Sequence, residues 1–278
     1  MIWILAGVAV VLAISAHGAA KAPRLDPYEI VRRYLRVIGP EESLAARKAC
    51  FVRGNSQVRH VTKGAAVSTG QITFASLGRR LRLILKSDNL AQRPDEITFD
   101  GQEIEMGSPY RIDQTDLEYF LDTPFHSEIL KRGLLGGALS TAWPLLDLSA
   151  SKPHLEYGGI KTIEGAEFYQ LRLRGERGPG PLAINLYFDT ETYHHIYTEY
   201  VDADYFGRPT LTPERLEEKF EGFKRVDGLD LPTRWRIRLT TRRSPVHSSF
   251  YPVWRSTEWE INITAIVNRS TADERLLL

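Results

Sequence analysis

Residues 79–86 read Arg-Arg-Leu-Arg-Leu-Ile-Leu-Lys. In an extended strand successive side chains point to opposite faces. Leu81, Leu83 and Leu85 therefore share one face, and Arg80, Arg82, Ile84 and Lys86 share the other. From Ala46 onward most of the chain follows this pattern. CFVRG, QVRHV, QITFASL and EITFDGQEIEM come first; KTIEGAEFYQLRLRGE, PLAINLYFD, YHHIYTEYVDADYF, WRIRLTTRR and STEWEINITAIVN follow Pro153. Glu164-Gly165, Gly178-Pro179-Gly180 and Asp227-Gly228 punctuate the runs as turn signals. Short alternating strands separated by turns predict a large antiparallel sheet with one apolar face.

Three stretches depart from the pattern. Asp26-Pro27-Tyr28-Glu29 opens a helix, with Asp26 as cap and Pro27 at the first helical position. Ile30, Val31, Tyr34, Leu35 and Ile38 make one apolar stripe opposed by Arg32, Arg33 and Arg36, and Gly39-Pro40 ends it, which predicts a helix over 27–38. Residues 116–148 combine apolar residues with Gly133, Gly136, Gly137 and Pro144. They predict two or three short helices, a poor core element and a plausible lid. LTPERLEEKF at 211–220 reads as a short helix capped by Thr212-Pro213.

The sequence begins MIWILAGVAVVLAISAHGAA, an uncharged apolar run closed by small residues before Lys21. Residues 1–20 are expected to be a secretory signal peptide, with an uncleaved inner-membrane anchor as the alternative. The location implied is the periplasm. Residues 21–270 are expected to form a single domain, with 271–278 as a tail. Cys50 has no second cysteine to pair with and reads as a small buried hydrophobe. The formal net charge of +1, from 36 Lys+Arg against 35 Asp+Glu, supplies no long-range field for nucleic acid.

One stretch raises the question of catalysis. LYFDTETYHHIYTEY, 186–200, gathers His194, His195, Asp189 and Glu191 within seven residues. The alternation of Leu182, Ile184, Leu186 and Phe188, followed by Asp189-Thr190-Glu191-Thr192, marks a hairpin, with Asp189 closing the turn and Phe188 facing Tyr193. On a strand His194 and His195 then point to opposite faces and cannot chelate one ion. Replacing either is expected to cost little. No HExxH, CxxC, Walker loop, GxGxxG or GxSxG occurs, so no short-range motif argues for an enzyme, a metal or a cofactor. A hydrolase could still be assembled from dispersed groups such as His126 or His154. WRIRLTTRR sets Arg236 and Arg238 opposite Trp235, Ile237 and Leu239. That is a solvated outer face, or alternatively a basic rim for lipid headgroups.

In order, the features resemble the outer-membrane lipoprotein-sorting family, the LolA-like carriers, from about Tyr28 to Val267. The resemblance rests on YEIVRRYLRVIG, GQITFASLGRRLRLILKS, ITFDGQEIEM, NLYFDTETYHH and FKRVDGLDLPTRWRI. The sequence departs from the family where Tyr193 replaces the usual Gly of the fourth motif and His195 the frequent Pro. A non-glycine at positive φ is costly there.

The resemblance implies a mainly β (α+β) fold: a half-open antiparallel β-barrel with an N-terminal helix and a helical lid. It implies a non-catalytic carrier with no cofactor and no metal, whose partners are lipid or lipoprotein acyl chains. Membrane contact would be transient or made through the N-terminal segment. The cavity would be lined by Ile72, Phe74, Leu81, Leu83, Leu85, Leu182, Ile184, Leu186, Phe188, Trp235 and Ile237. Arg82, Phe125, Ile129 and Leu130 would contact the lid. The alternative is an envelope sensor or interaction module of the same fold that binds a protein partner. A carrier needs an open apolar cavity; a sensor can have a filled core.

Overall fold

The computed structural model describes residues 25–61, 67–175, 182–202, 204–205, 208–209, 213–243 and 253–271. The apolar run 1–20 and all but the first of residues 271–278 lie outside the described residues.

Helix α1 (Pro27–Ile38) forms where its periodicity places it. The Asp26 carboxylate accepts from the Tyr28 amide at 3.0 Å and caps the first turn. Ile30, Val31, Tyr34 and Ile38 are buried. On the solvent side Glu29 pairs with Arg32 at 3.0 Å and Arg33 at 2.9 Å. A short helix α2 (Glu41–Ala46) follows.

Five strands come next: β1 (Ala49–His60), β2 (Val67–Leu77), β3 (Arg80–Ser87), β4 (Asp95–Phe99) and β5 (Ile104–Met106). Then comes the insertion, made of α3 (Asp116–Leu121), α4 (Ser127–Lys131), a 3-10 turn at Gly137–Leu139 and α5 (Leu148–Ser151). The chain returns to strands with β6 (His154–Ile163), β7 (Ala166–Arg174), β8 (Leu182–Asp189) and β9 (His195–Asp202). A small hairpin, β10 (Asp204–Tyr205) with β11 (Arg208–Pro209), precedes β12 (Arg215–Glu221). A second, β13 (Lys224–Val226) with β14 (Leu229–Leu231), precedes β15 (Arg234–Arg243) and β16 (Val253–Arg269).

Twelve strands make one antiparallel sheet in the order β5-β4-β3-β2-β1-β16-β15-β12-β9-β8-β7-β6. The last strand, β16, lies beside the first, β1, so the two halves of the chain meet at the centre. β5 and β6 form the two edges, which makes the barrel half-open. Topology then dictates the path of the insertion. Joining β5 to β6 takes the chain from one edge of the sheet to the other, and it runs across the apolar inner face.

Two expectations are corrected. Residues 215–221 are strand β12, not part of a helix: Leu216, Glu218 and Phe220 alternate with Glu217 and Lys219, and β9 and β15 pair on either side. Ladder pairing on both sides outweighs the helical cap signal; Thr212 itself lies outside the described residues. The insertion is also no poor core element. Its Leu117, Phe120, Leu121, Ile129, Leu130, Leu134, Leu135, Leu139, Trp143 and Leu145 are all nearly inaccessible to solvent.

Candidate functional site

The inner face of the sheet is one apolar surface. Ile72 and Phe74 on β2, Leu81, Leu83 and Leu85 on β3, and Ile184, Leu186 and Phe188 on β8 belong to a single buried cluster with Trp235, Ile237 and Leu239 on β15. Leu182 is half-buried at its margin. Alternation therefore brings the sequence-derived set together. Register supplies members that the set lacked: Tyr200 on β9, Leu216 and Phe220 on β12, Trp259 and Ile261 on β16.

The insertion lies on this face. Ile129 and Leu130 are fully buried in the same cluster. Phe125 is 54% exposed and sits at the surface of the insertion, not beneath it. Arg82 takes the outer face of β3, opposite Leu81, Leu83 and Leu85. Other arginines reach the insertion: Arg79 Nη2 donates to the Lys131 carbonyl and Arg47 Nη2 to the Ser140 carbonyl, both at 3.4 Å.

The closest tie centres on a carboxylate. Glu218 has no solvent exposure. Its Oε1 accepts from the Gly136 amide at 2.8 Å and from Trp235 Nε1 at 3.1 Å. The Tyr200 hydroxyl lies 2.8 Å from Oε2 and 3.1 Å from the Leu134 carbonyl. One group on the sheet thus holds the Leu134–Gly136 turn of the insertion. Burial pushes the Glu218 carboxyl up to about 7, against the three hydrogen bonds that favour its charged form. Protonated, Oε2 donates to Tyr200, and the Tyr200 hydroxyl is free to donate to Leu134. Ionised, Oε2 accepts the hydrogen bond of the Tyr200 hydroxyl, and Leu134 loses that donor.

Gly136 makes the turn possible. Its φ is +84°, and a Cβ there would stand 2.9 Å from the Phe74 ring. A second hydroxyl link joins Ser76 Oγ to Thr141 Oγ1 at 2.8 Å.

The adjacent histidines diverge, His194 lying just before β9 and His195 being its first residue. His194 Nε2 meets Asp230 at 2.8 Å, and its ring stacks on Phe223. His195 faces the other way, 2% exposed, with Nε2 at 2.8 Å from Thr198 Oγ1. It touches Tyr34 of α1, Trp143 of the insertion, and Phe188 and Phe220 of the sheet. Burial drives its pKa down to about 3, so it is neutral. The expectation that both histidines are dispensable for stability is corrected for His195, because a residue on the inner face is core. Phe188 pairs with His195, not with Tyr193.

Tyr193 does adopt positive φ, +61°. Asp189 accepts from the Glu191 and Thr192 amides to hold the turn. Tyr169 stacks on the Tyr193 ring, and Arg33 donates to its hydroxyl at 2.6 Å. These contacts offset the cost of that conformation.

Among the described residues no three His, Cys, Asp or Glu side chains gather as a metal site. His126 is buried against Phe120, with Nδ1 on Thr123 Oγ1 and the Phe120 carbonyl, and Asp202 lies 3.8 Å away. Thr123 itself bonds the Phe120 carbonyl and the His126 amide, which closes a turn. His154 is exposed. On the outer face Ile163, Phe168, Ile196 and Phe223 line a hollow of about 570 Å³. Its basic groups are already paired, Lys219 and Arg236 with Glu164 and Arg238 with Glu258. That is a solvated, ion-paired face, not a free basic rim.

The sequence reading missed Glu218 and Arg47. Glu218 carried a signal: alternation sets it in line with Leu216 and Phe220, and an inward carboxylate on an apolar face marks a polar anchor. Arg47 precedes the first strand and carried none.

The molecule is therefore of the half-open antiparallel barrel class, with its inner face covered by an inserted helical segment. No protein-family model matches the sequence, and no curated protein matches it. Among solved structures the chain is similar to a LolA superfamily protein from Nitrosomonas europaea, with 13% identity and a TM-score of 0.49 over 91% of this chain and 98% of that one. It is similar to a DUF1329 family protein from Desulfovibrio piger, with 10% identity and a TM-score of 0.45 over 91% and 98%. It is also similar to an outer membrane lipoprotein-sorting protein domain from Vibrio parahaemolyticus, with 11% identity and a TM-score of 0.44 over 89% and 97%. At these identities the likeness is one of fold.

Proposed function

We propose that the protein is a non-catalytic binder or carrier of lipid or lipoprotein acyl chains, exported to the periplasm by its apolar leader. The observation that carries this reading is the cover. A largely apolar sheet face lies under a segment of short helices, turned at glycines and fastened to the sheet at a few polar points, Glu218 foremost. Leucines 134, 135 and 139 occupy the space that acyl chains would take. Binding is then an exchange: the insertion lifts, and methylenes replace leucine side chains against the same sheet. Each buried CH₂ returns about 0.8 kcal/mol, and exposing a buried leucine costs about 1.5–3 kcal/mol, so a chain of ordinary length offsets the displacement of these three leucines.

A second reading, an envelope interaction module for a protein partner, is favoured by the same filled face, since such a module needs no opening. Native mass spectrometry of protein purified without detergent separates the two. The carrier reading expects mass increments of acyl lipids and binding of a fluorescent fatty acid. Bare protein with no fatty-acid binding would leave the interaction module.

A further inference from the structure

The end of the covered face nearest α2 holds an excess of hydrogen-bond donors. Arg47 is 8% exposed, and its Nη2 donates to the Ser140 carbonyl at 3.4 Å. Its Nη1 has no partner. No carboxylate among the described residues lies within ion-pair distance of this guanidinium. Tyr34, 1% exposed, has an unpartnered hydroxyl, and Trp143, 2% exposed, an unpartnered Nε1.

These donors belong to one neighbourhood. The Tyr34 and Trp143 rings meet edge to face at 5.4 Å. The Ser140 carbonyl that receives Arg47 also receives the Trp143 amide, at 3.4 Å. Burial raises the Tyr34 hydroxyl and the Cys50 thiol, and the Arg47 charge opposes that rise at both. Tyr34 and Trp143 are also members of the apolar cluster, so the donors border the acyl space.

Asp227 is the negative charge that also acts on Cys50, but it forms no ion pair with Arg47; a buried guanidinium without a direct ion pair is costly, and so are buried donors without acceptors. The missing chemistry is anionic, with oxygens that accept several hydrogen bonds. When the insertion lifts, Arg47 also loses Ser140 and is left with an open fork.

We propose that Arg47, with Tyr34, forms the subsite for an oxyanion headgroup of the acyl ligand, a carboxylate or a phosphate. This rests on the acyl-binding reading and narrows it: the preferred ligand carries a negative charge next to its chain, and a neutral chain fits less well. Arginine suits either oxyanion because its planar fork bonds both bidentately.

Three probes with the same chain test this at pH 8: hexadecanoate, hexadecyl phosphate and neutral hexadecanol. The wild type is expected to bind at least one anion about tenfold or more tightly than the alcohol. Stronger binding of the phosphate points to a phospholipid source, and stronger binding of the carboxylate to a free fatty acid. Arg47→Met is expected to abolish the preference while alcohol binding stays as it was. Tyr34→Phe, which removes only the orphan hydroxyl, is expected to reduce it; this variant serves if Arg47→Met does not fold. Equal binding of all three by the wild type would overturn the headgroup subsite, leave ordered water as the partner of these donors and keep the acyl reading. Binding of none would overturn both.

Discussion

Helix α1 and the insertion cover the same sheet by different means. α1 is one continuous helix with an apolar stripe, a capped start and an ion-paired outer side. Packing of its stripe holds it, with bonds at its margins from Tyr28 to the Pro153 carbonyl and from Arg33 to the Tyr193 hydroxyl; its buried polar group, the Tyr34 hydroxyl, ties it to nothing. The insertion buries far more apolar surface, yet its helices are only four to six residues long. Such pieces are too short to be stable alone. It keeps its shape because the sheet supplies fixed polar points: Glu218 to Gly136, Tyr200 to Leu134, Ser76 to Thr141. A cover held by its own helical order stays in place when one contact is lost. A cover of short pieces, packed but positioned by a few directional bonds, loosens locally where one of them is lost.

His195 tests the comparison most severely, because both covers meet on it. His195→Ala leaves a space between Tyr34, Trp143 and Phe220, and loses about 3 kcal/mol by analogy with other buried rings. Urea unfolding measures this. A loss below about 0.5 kcal/mol, the surface range, would mean that the ring is not packed between the two covers.

Gly136→Ala comes next and should separate the covers. It sets a Cβ 2.9 Å from Phe74 at a φ of +84°. A cost of about 2–3 kcal/mol is expected from the strained backbone and the displaced ring. Hydrogen exchange should show amides of 116–148 losing protection while those of 27–38 keep theirs. Equal loss in both segments would mean that the two covers form one cooperative unit.

How much of this was legible follows from what each interaction depends on. Strand faces depend on alternation, which a sequence displays directly; Leu81, Leu83 and Leu85, and likewise Ile184, Leu186 and Phe188, fall where a period of two puts them. α1 was legible for the same reason, with a period of 3.6 and a local cap. Residues 215–221 were misread because the Thr212-Pro213 cap is a local signal, whereas β9 and β15 come from elsewhere in the chain. His195 was legible in direction but not in burial: alternation sets it apart from His194, and only the covers coming from residues 34 and 143 make it core. The Arg47–Ser140 contact joins residues 93 apart and has no local signature.

Glu218→Gln sharpens the comparison through pH. The Glu218 pKa rises from 4.5 to about 7 on folding. Its contribution to stability is therefore fully present below about 4.5 and lost as the pH rises through 7. Asp95, raised from 3.8 to about 7 by burial, behaves the same way. His195, lowered to about 3, behaves oppositely: its contribution is present above 6.5 and lost as the pH falls. The wild-type profile mixes all three, so the informative quantity is the difference between variant and wild type. Glutamine mimics the protonated acid. At pH 5 the two proteins should be equally stable; at pH 8 the variant should be the more stable by about 2 kcal/mol. Protection should differ in the insertion and not in α1. A difference independent of pH would show that Glu218 does not titrate where it holds the insertion.

The smallest effects come from the same change made once in each cover. Asp26 caps α1, and Thr115 caps α3 with a reciprocal bond between Glu118 and the Thr115 amide. Removing either cap costs about 1 kcal/mol in ordinary helices. In α1 the loss should fray the first turn and go no further, because Ile30, Val31, Tyr34 and Ile38 still hold the stripe in place. Thr115 also donates to Asp95, a carboxyl buried beside Glu118. Thr115→Ala therefore removes a bond that favours ionised Asp95, and the cost should be larger at pH 8 than at pH 5. It should also spread along the insertion, since α3 is only six residues long and cannot shed one turn and remain a helix. Hydrogen exchange on Asp26→Ala and Thr115→Ala at both pH values measures the spread. Fraying confined to the first turn in both variants would show that the insertion has the local order of α1, and that its release does not depend on the bonds to the sheet.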